Sequence, residues 1–133
     1  MREKPPSKPD RDHREDARFA QKLADAYGAT VVLKGADTFI ATTQAPHKGK
    51  DDIVRLMDRG TSVLARAGTG DVLSGMLASL LAQGMDAHEA AMLATSLHAE
   101  AGRVAAKRLT DVSTCASDVA ESLPQAIKAF MEA

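Results

Sequence analysis

The sequence predicts an α/β layered fold, with two or three strands ahead of about four helices. Three observations carry that expectation. Residues 29–33, Ala-Thr-Val-Val-Leu, are a β-branched run too short for a helix. Residues 38–42, Thr-Phe-Ile-Ala-Thr, are a second such run, a tight loop later. From Val72 onward the apolar residues recur four apart, which is the spacing of a helix face.

The elements follow in order. Residues 1–13 hold Pro5, Pro6 and Pro9, show no periodicity, and read as a flexible N-terminal segment, leaving 14–133 as one folded unit. A helix is expected from Arg14 to Tyr27, because Ala20, Leu23, Ala24 and Tyr27 share one face, and Gly28 sits where a helix stops. Ala29–Leu33 reads as a strand buried on both faces. A loop at Gly35-Ala36-Asp37 joins it to the strand at Thr38–Thr42. Residues 43–52 are polar, with Pro46 and with Lys48 and Lys50 around Gly49, and Ile53–Met57 fits either a strand or a short helix. Ser62–Ala67 reads as a third strand or extended segment leading into a glycine turn. Val72, Leu73, Met76, Leu77, Leu80 and Leu81 then mark a helix ending at Gly84. A long alanine-rich helix, Ala87 to Arg108, opens on Asp86 and Glu89 in the manner of a capping box. Asp118 and Glu121 are placed to cap a last helical segment, Pro124 predicts a kink or restart, and Ile127, Phe130 and Met131 are expected to face the core. The strand count is low for so many helices, as if part of a sheet were missing.

Composition narrows the function. A net charge of -1 gives no bulk attraction to nucleic acid or to an anionic membrane. Three Phe, one Tyr and no Trp leave little for base stacking. The single cysteine, Cys115, forms no internal disulfide and belongs to no metal-binding cluster, so no metal ligand can be named, and a reducing cytoplasm fits. No apolar run approaches the ~20 residues that span a bilayer.

The chemistry concentrates at Gly68-Thr69-Gly70-Asp71. Glycines let backbone approach a ligand, and the turn opens onto a helix whose first N–H groups lack internal partners and favour an anion. Phosphate is the natural occupant. A carboxylate beside such a site needs its own task. Asp71 can cap the helix through the N–H of Ser74 or a neighbour, or it can act as general base for a hydroxyl attacking a phosphoryl group.

The longer string, residues 68–84, GTGDVLSGMLASLLAQG, resembles the matching segment of the ADP- or ATP-dependent NAD(P)H-hydrate dehydratases of the ribokinase-like superfamily. The Val72-Leu73-Ser74-Gly75 continuation is more similar to these enzymes than to the related small-molecule kinases. Val31-Val32-Leu33-Lys34-Gly35-Ala36-Asp37-Thr38 resembles the family's nucleotide segment, Leu97-His98-Ala99-Glu100-Ala101-Gly102 its Leu-His-x-x-Ala-Gly helix, and Ala116-Ser117-Asp118 with Leu123-Pro124 its closing helix. The resemblance covers about Asp16 to Phe130 but only the C-terminal half of the family domain. The family's His-Pro-Gly-Glu-like segment has no counterpart, and Asp58-Arg59-Gly60-Thr61 stands where an Asn-x-Gly region is usual.

The resemblance implies a ribokinase-like fold and a repair reaction, dehydration of NAD(P)H hydrate to NAD(P)H at the expense of ADP or ATP, with Mg2+ accompanying the nucleotide. It implies that Lys34, Gly35, Ala36, Asp37, Thr38, Gly68, Thr69 and Gly70 bind the nucleotide, and that Asp71 meets the hydrate and serves as catalytic base. His98 is expected to pack with a polar partner, and Arg66 to add a phosphate contact or stay in solvent. It implies a cytoplasmic protein acting as a homo-oligomer or with a missing N-terminal half. Two other readings stand beside it: a ribokinase-like kinase for a vitamin precursor or sugar, and an inactive or partner-dependent nucleotide-binding fragment.

Overall fold

The computed structural model describes residues 13–35, 37–43, 53–57 and 62–133. Residues 1–12, Ala36, Pro46, His47, the two lysines around Gly49, and the stretch Asp58-Arg59-Gly60-Thr61 lie outside the described residues.

Helix α1 (His13–Tyr27) places Ala20 and Ala24, both fully buried, against strands β1 (Val31–Leu33) and β2 (Asp37–Ala41). Small side chains at this contact bring helix and sheet together with Phe39 and Ala41. Tyr27 does not join the predicted face: it is 78% exposed, which keeps its phenol in water. Gly28 closes the helix at φ 61°, a left-handed conformation natural to glycine.

The sheet is antiparallel in the order β1-β2-β3, with β3 at Val54–Met57. Val32 pairs with Ile40, and Phe39 pairs with Arg55. The 53–57 ambiguity thus resolves as strand. The expectation of a doubly buried first strand is corrected, because β1 is half-buried throughout and pairs with β2 alone among the described residues. Along β2, alternation turns Phe39 and Ala41 toward α1 and puts Thr38 and Ile40 on the other face, where α3 meets the strand.

Ser62–Ala67 is not the predicted strand. Ser62–Ala65 is a 3-10 helix with Val63 fully buried, and the winding is fixed by local bonds. Arg66 N donates to Val63 O at 3.1 Å, and the Thr69 hydroxyl lies 2.8 Å from both Leu64 O and Arg66 O.

Helix α2 (Thr69–Ala82) ends in a Schellman motif: Gly84 N donates to Leu81 O at 3.0 Å, and Met85 N to Leu80 O at 3.1 Å, with Gly84 at φ 88°. Helix α3 (Ala87–Leu109) starts as predicted, with the Asp86 carboxylate accepting from the N–H groups of His88 and Glu89. Its end is strained. Thr110 holds φ 77° and ψ 155°, a region nearly reserved for glycine.

Asp118 and Glu121 do not cap the last segment in the predicted way. Helix α4 (Ala116–Glu121) is capped by Cys115, whose N–H donates to Asp118 at 2.9 Å, so Asp118 sits three residues inside. That N–H first, then the Cys115 thiol, hold the Asp118 carboxyl below the usual carboxylate range. The predicted restart is present: Ser122 separates α4 from α5 (Leu123–Met131), with Pro124 in the first turn, where its missing N–H costs nothing. Ile127, Phe130 and Met131 are exposed, not in the core. Ala126, with Leu123 packed alongside, meets Val63, Ala101, Ala105 and Val119 from α5.

Candidate active site

The glycine turn is built by its left-handed first residue. Gly68, at φ 88°, is the N-cap of α2, and a Cβ there would stand 3.0 Å from Ala116 Cβ of α4. Asp71 is therefore not the cap. It is the third residue of the helix, exposed, and its own N–H donates to Gly68 O at 3.1 Å. The physical reason is that Gly68 can adopt the backbone that starts the helix three residues early, which leaves the Asp71 carboxylate unspent on capping.

The amides of the turn divide by task. Thr69 N donates to Arg66 O at 3.3 Å, while the N–H groups of Gly68 and Gly70 take no partner among the described residues. Thr69 is buried, and its hydroxyl is held by Leu64 and Arg66 carbonyls, so its side chain fastens the turn. His98 of α3 fastens it from below. Its Nε2 lies 2.9 Å from Thr69 O, an acceptor only, so the imidazole donates. Burial pushes the His98 pKa below its ordinary value; the bond to Thr69 opposes that shift and the Lys34 charge adds to it. The ring is neutral at pH 7 and acts as a structural tie, the packing role its sequence context predicts.

The two sequence motifs meet in space. Lys34, exposed at the end of β1, brings its Nζ over the turn so closely that a Cβ on Gly70 would stand 2.7 Å from it. Both line a cleft of about 900 Å³ between the sheet, the 3-10 helix, the start of α2 and one side of α3. Gly35, Thr38 and Thr69 also line it, whereas Asp71 lies outside its walls on the exposed side of α2. Asp37 does not line it but pairs with Arg55, which does, at 2.9 Å from Nε and 2.5 Å from Nη2.

Three cleft cations and a hydroxyl escaped the sequence reading or took another role. Arg55 projects from β3, and Arg103 from α3, where it bonds Glu100 at 2.9 and 2.6 Å. Arg66 lines the cleft, and its Nη2 donates to Asp111 O at 2.5 Å, tying the turn to the loop after α3. Thr95 lies on the cleft-lining side of α3. Its spacing from His98 and Arg103, by three and eight residues, was the available signal, since those steps share a helix face. Among the described residues no three His, Cys, Asp or Glu side chains converge as a metal site. No described helix is long and apolar enough to cross a membrane.

Chemically, the cleft gathers the free N–H of Gly70, a helix N-terminus and four cationic side chains, which suits the phosphates of a nucleotide. An exposed carboxylate stands at the next residue of the same helix turn.

Comparison with known proteins agrees. A family profile described as NAD(P)H-hydrate dehydratase matches residues 6–125. The chain is 43% identical over 112 residues to the bifunctional NAD(P)H-hydrate repair enzyme Nnr of Mycobacterium leprae, covering 83% of this chain and 22% of that protein. It is 33% identical over 108 residues to the ADP-dependent (S)-NAD(P)H-hydrate dehydratase of Xanthomonas campestris, covering 81% and 35%. The structure of Bacillus subtilis YxkO, described as a putative kinase, superposes with a TM-score of 0.73 at 27% identity, covering 88% of this chain and 41% of that one. The chain thus spans well under half the length of these relatives. On the profile match and the meeting of the Lys34 and Gly68–Asp71 motifs, the chain belongs to the NAD(P)H-hydrate dehydratase family, with the α/β architecture of a part of its ribokinase-like domain.

Proposed function

We propose that the chain carries the nucleotide half of an ADP-dependent NAD(P)H-hydrate dehydratase site, restoring NAD(P)H from its hydrate. The observation that carries this is the seating of Lys34 Nζ against Gly70. A cation there supports the reading that phosphate binds at the Gly70 amide, where its charge needs neutralising. Lys34 holds the donor phosphates, Thr38 with Gly35 to Asp37 borders the nucleotide, and the α2 N-terminus stabilises charge on the transferred group.

Hydroxide is a poor leaving group. Asp71 takes the proton of the hydrate's hydroxyl as its oxygen attacks the terminal phosphorus of the nucleotide, and the bond to the donor's bridging oxygen breaks. The ring C–O bond of that phosphate ester then breaks, phosphate departs with the electron pair, and loss of a neighbouring ring proton restores the dihydronicotinamide. ADP is the donor that the Xanthomonas relative's name supports; ATP is the alternative. The described residues do not form a magnesium cage, since Asp37 and Glu100 are engaged by arginines and no acidic cluster is present among them.

The hydrate pocket needs more polypeptide than the described residues offer, which favours action as a homo-oligomer or together with the rest of the domain that longer relatives carry. Cys115, free and exposed, suits a reducing cytoplasm.

The test incubates the chain with NADH hydrate and ADP or ATP and follows the absorbance of restored NADH. Asp71→Asn is expected to abolish turnover while ADP binding, measured calorimetrically, stays within about twofold. Turnover at a near-normal rate in this variant removes Asp71 as base. A stable phosphorylated product without NADH recovery moves the reading to a kinase.

A further inference from the structure

The side of α3 that lines the cleft holds one polar group that neither the fold nor the reaction uses. Thr95 is 8% exposed, its Oγ1 is screened from water, and it takes no hydrogen bond among the described residues. This is unusual for a helical hydroxyl, which normally bonds the carbonyl one turn back. Ser74 does so on Gly70 O at 3.0 Å, and Ser96, the neighbour of Thr95, on Met92 O at 2.8 Å. Thr95 forgoes that bond while contributing to the cleft wall. An orphaned buried hydroxyl costs stability, and a protein retains one where a ligand supplies the partner.

The position narrows the ligand group. Thr95 lies one turn N-terminal of His98, the residue that ties the glycine turn, and roughly 12 Å along the axis from Arg103. The groups of the cleft suited to phosphate are Lys34, the arginines and the Gly70 amide, all of which line it. A hydroxyl can both donate and accept, so a ring heteroatom or sugar hydroxyl can meet it in either role, whereas a phosphate uses only its donor. We infer that Thr95 is a specificity-determining residue that hydrogen-bonds the neutral nucleoside portion of the nucleotide, while the phosphates lie at Lys34 and Gly70. This rests on the nucleotide reading above.

The test is calorimetric titration of the full chain with three probes: ADP, adenosine and inorganic pyrophosphate. Thr95→Val keeps the shape and removes the hydroxyl. It is expected to weaken ADP and adenosine about 10-fold and to leave pyrophosphate unchanged. Thr95→Ser restores binding to within about threefold. Without ligand, the Thr95→Val melting temperature should equal or exceed that of the parent, because an unsatisfied polar group is gone. Unchanged ADP binding by Thr95→Val overturns the inference and leaves the nucleotide reading standing. Equal weakening of pyrophosphate overturns it as well, since the effect is then not local to the nucleoside. Failure of the parent chain to bind ADP overturns both. Should Thr95→Val misfold, Thr95→Ala carries the same three titrations and the same outcomes.

Discussion

Gly68 and Gly70 stand two residues apart in one turn, yet substitution to alanine should produce opposite results. At Gly70 a Cβ would stand 2.7 Å from Lys34 Nζ, inside any real contact distance, so the lysine must move. Its ammonium is the far end of a flexible, exposed chain, and moving it costs the fold little. Alanine also improves on glycine inside a helix by roughly 0.8–1 kcal/mol. Gly70→Ala is therefore expected to keep or slightly raise stability while displacing the cation from the phosphate position. Loss of one charge-assisted bond, about 1.5–3 kcal/mol, weakens ADP roughly 10- to 100-fold. Gly68→Ala meets a backbone obstacle instead. At φ 88° an L-residue is strained by roughly 1–2 kcal/mol, and its Cβ would stand 3.0 Å from Ala116 Cβ, a group anchored in α4 that cannot swing away. Gly68→Ala is thus expected to lower stability by at least that amount. Urea denaturation followed by circular dichroism reads the first quantity, and ADP titration reads the second. A Gly70→Ala protein that binds ADP like the parent refutes the claim that Lys34 over Gly70 holds the phosphate. A Gly68→Ala protein as stable as the parent refutes the account of the turn.

Two further outcomes follow from the packing. Thr110→Gly relieves a backbone at φ 77° and ψ 155° and is expected to raise stability by about 1 kcal/mol, read as a shift in the urea midpoint; an unchanged or lowered midpoint argues that the Thr110 and Ser113 hydroxyl contact outweighs the strain. Burial depresses the folded-state pKa of His98, so the unfolded chain binds its proton first as pH falls. That stability is full above the unfolded value of 6.5 and is lost as pH drops from there toward the folded value. The slope of stability against pH below 6.5 should flatten in His98→Gln, and equal slopes in the two proteins rule the histidine out.

The parts of the fold written in local chemistry were legible in the sequence. Gly28 and Gly84 stop helices because each takes a positive φ, Asp86 caps because its carboxylate reaches two free N–H groups, and Pro124 restarts the chain because it lacks a donor. The glycine turn itself was legible for the same reason, since two glycines before an apolar run mark a turn that opens onto a helix. What failed depended on partners outside the segment being read. Ser62–Ala65 has strand-like composition, yet Thr69 pulls its carbonyls into a tight winding. Ile127, Phe130 and Met131 have the spacing of a buried face, but Ala126 is the side that α3 and α4 leave room to bury. Arg55, Arg103 and Thr95 come from a strand and a helix that local pattern does not place beside the glycine turn. Of the two tasks the sequence leaves open for Asp71, capping is the one that the structure rules out. Aspartate is a favoured cap, and only the left-handed backbone of Gly68 shows the helix starting earlier.

That early start matters for the proposed chemistry. Successive residues of an α-helix are about 100° apart around its axis. With Gly70 facing the cleft, Asp71 must look to its flank, which accords with its exposure and its place outside the cleft walls. On the proposed reading, a single helix turn then presents donor-binding groups on one side and the base on another. Phosphoryl transfer needs this separation, because the attacking and leaving oxygens lie roughly in line across the transferred group. It also keeps the carboxylate from repelling bound phosphate in the ground state. The two neighbours should accordingly separate in kinetics wherever turnover is reconstituted. Gly70→Ala disturbs the donor side and should raise the KM for nucleotide more than it lowers kcat. Asp71→Asn removes the proton acceptor and should lower kcat with little change in that KM. If both substitutions move the same parameter, the turn does not divide donor from acceptor, and the assignment of Asp71 to the acceptor side falls with it.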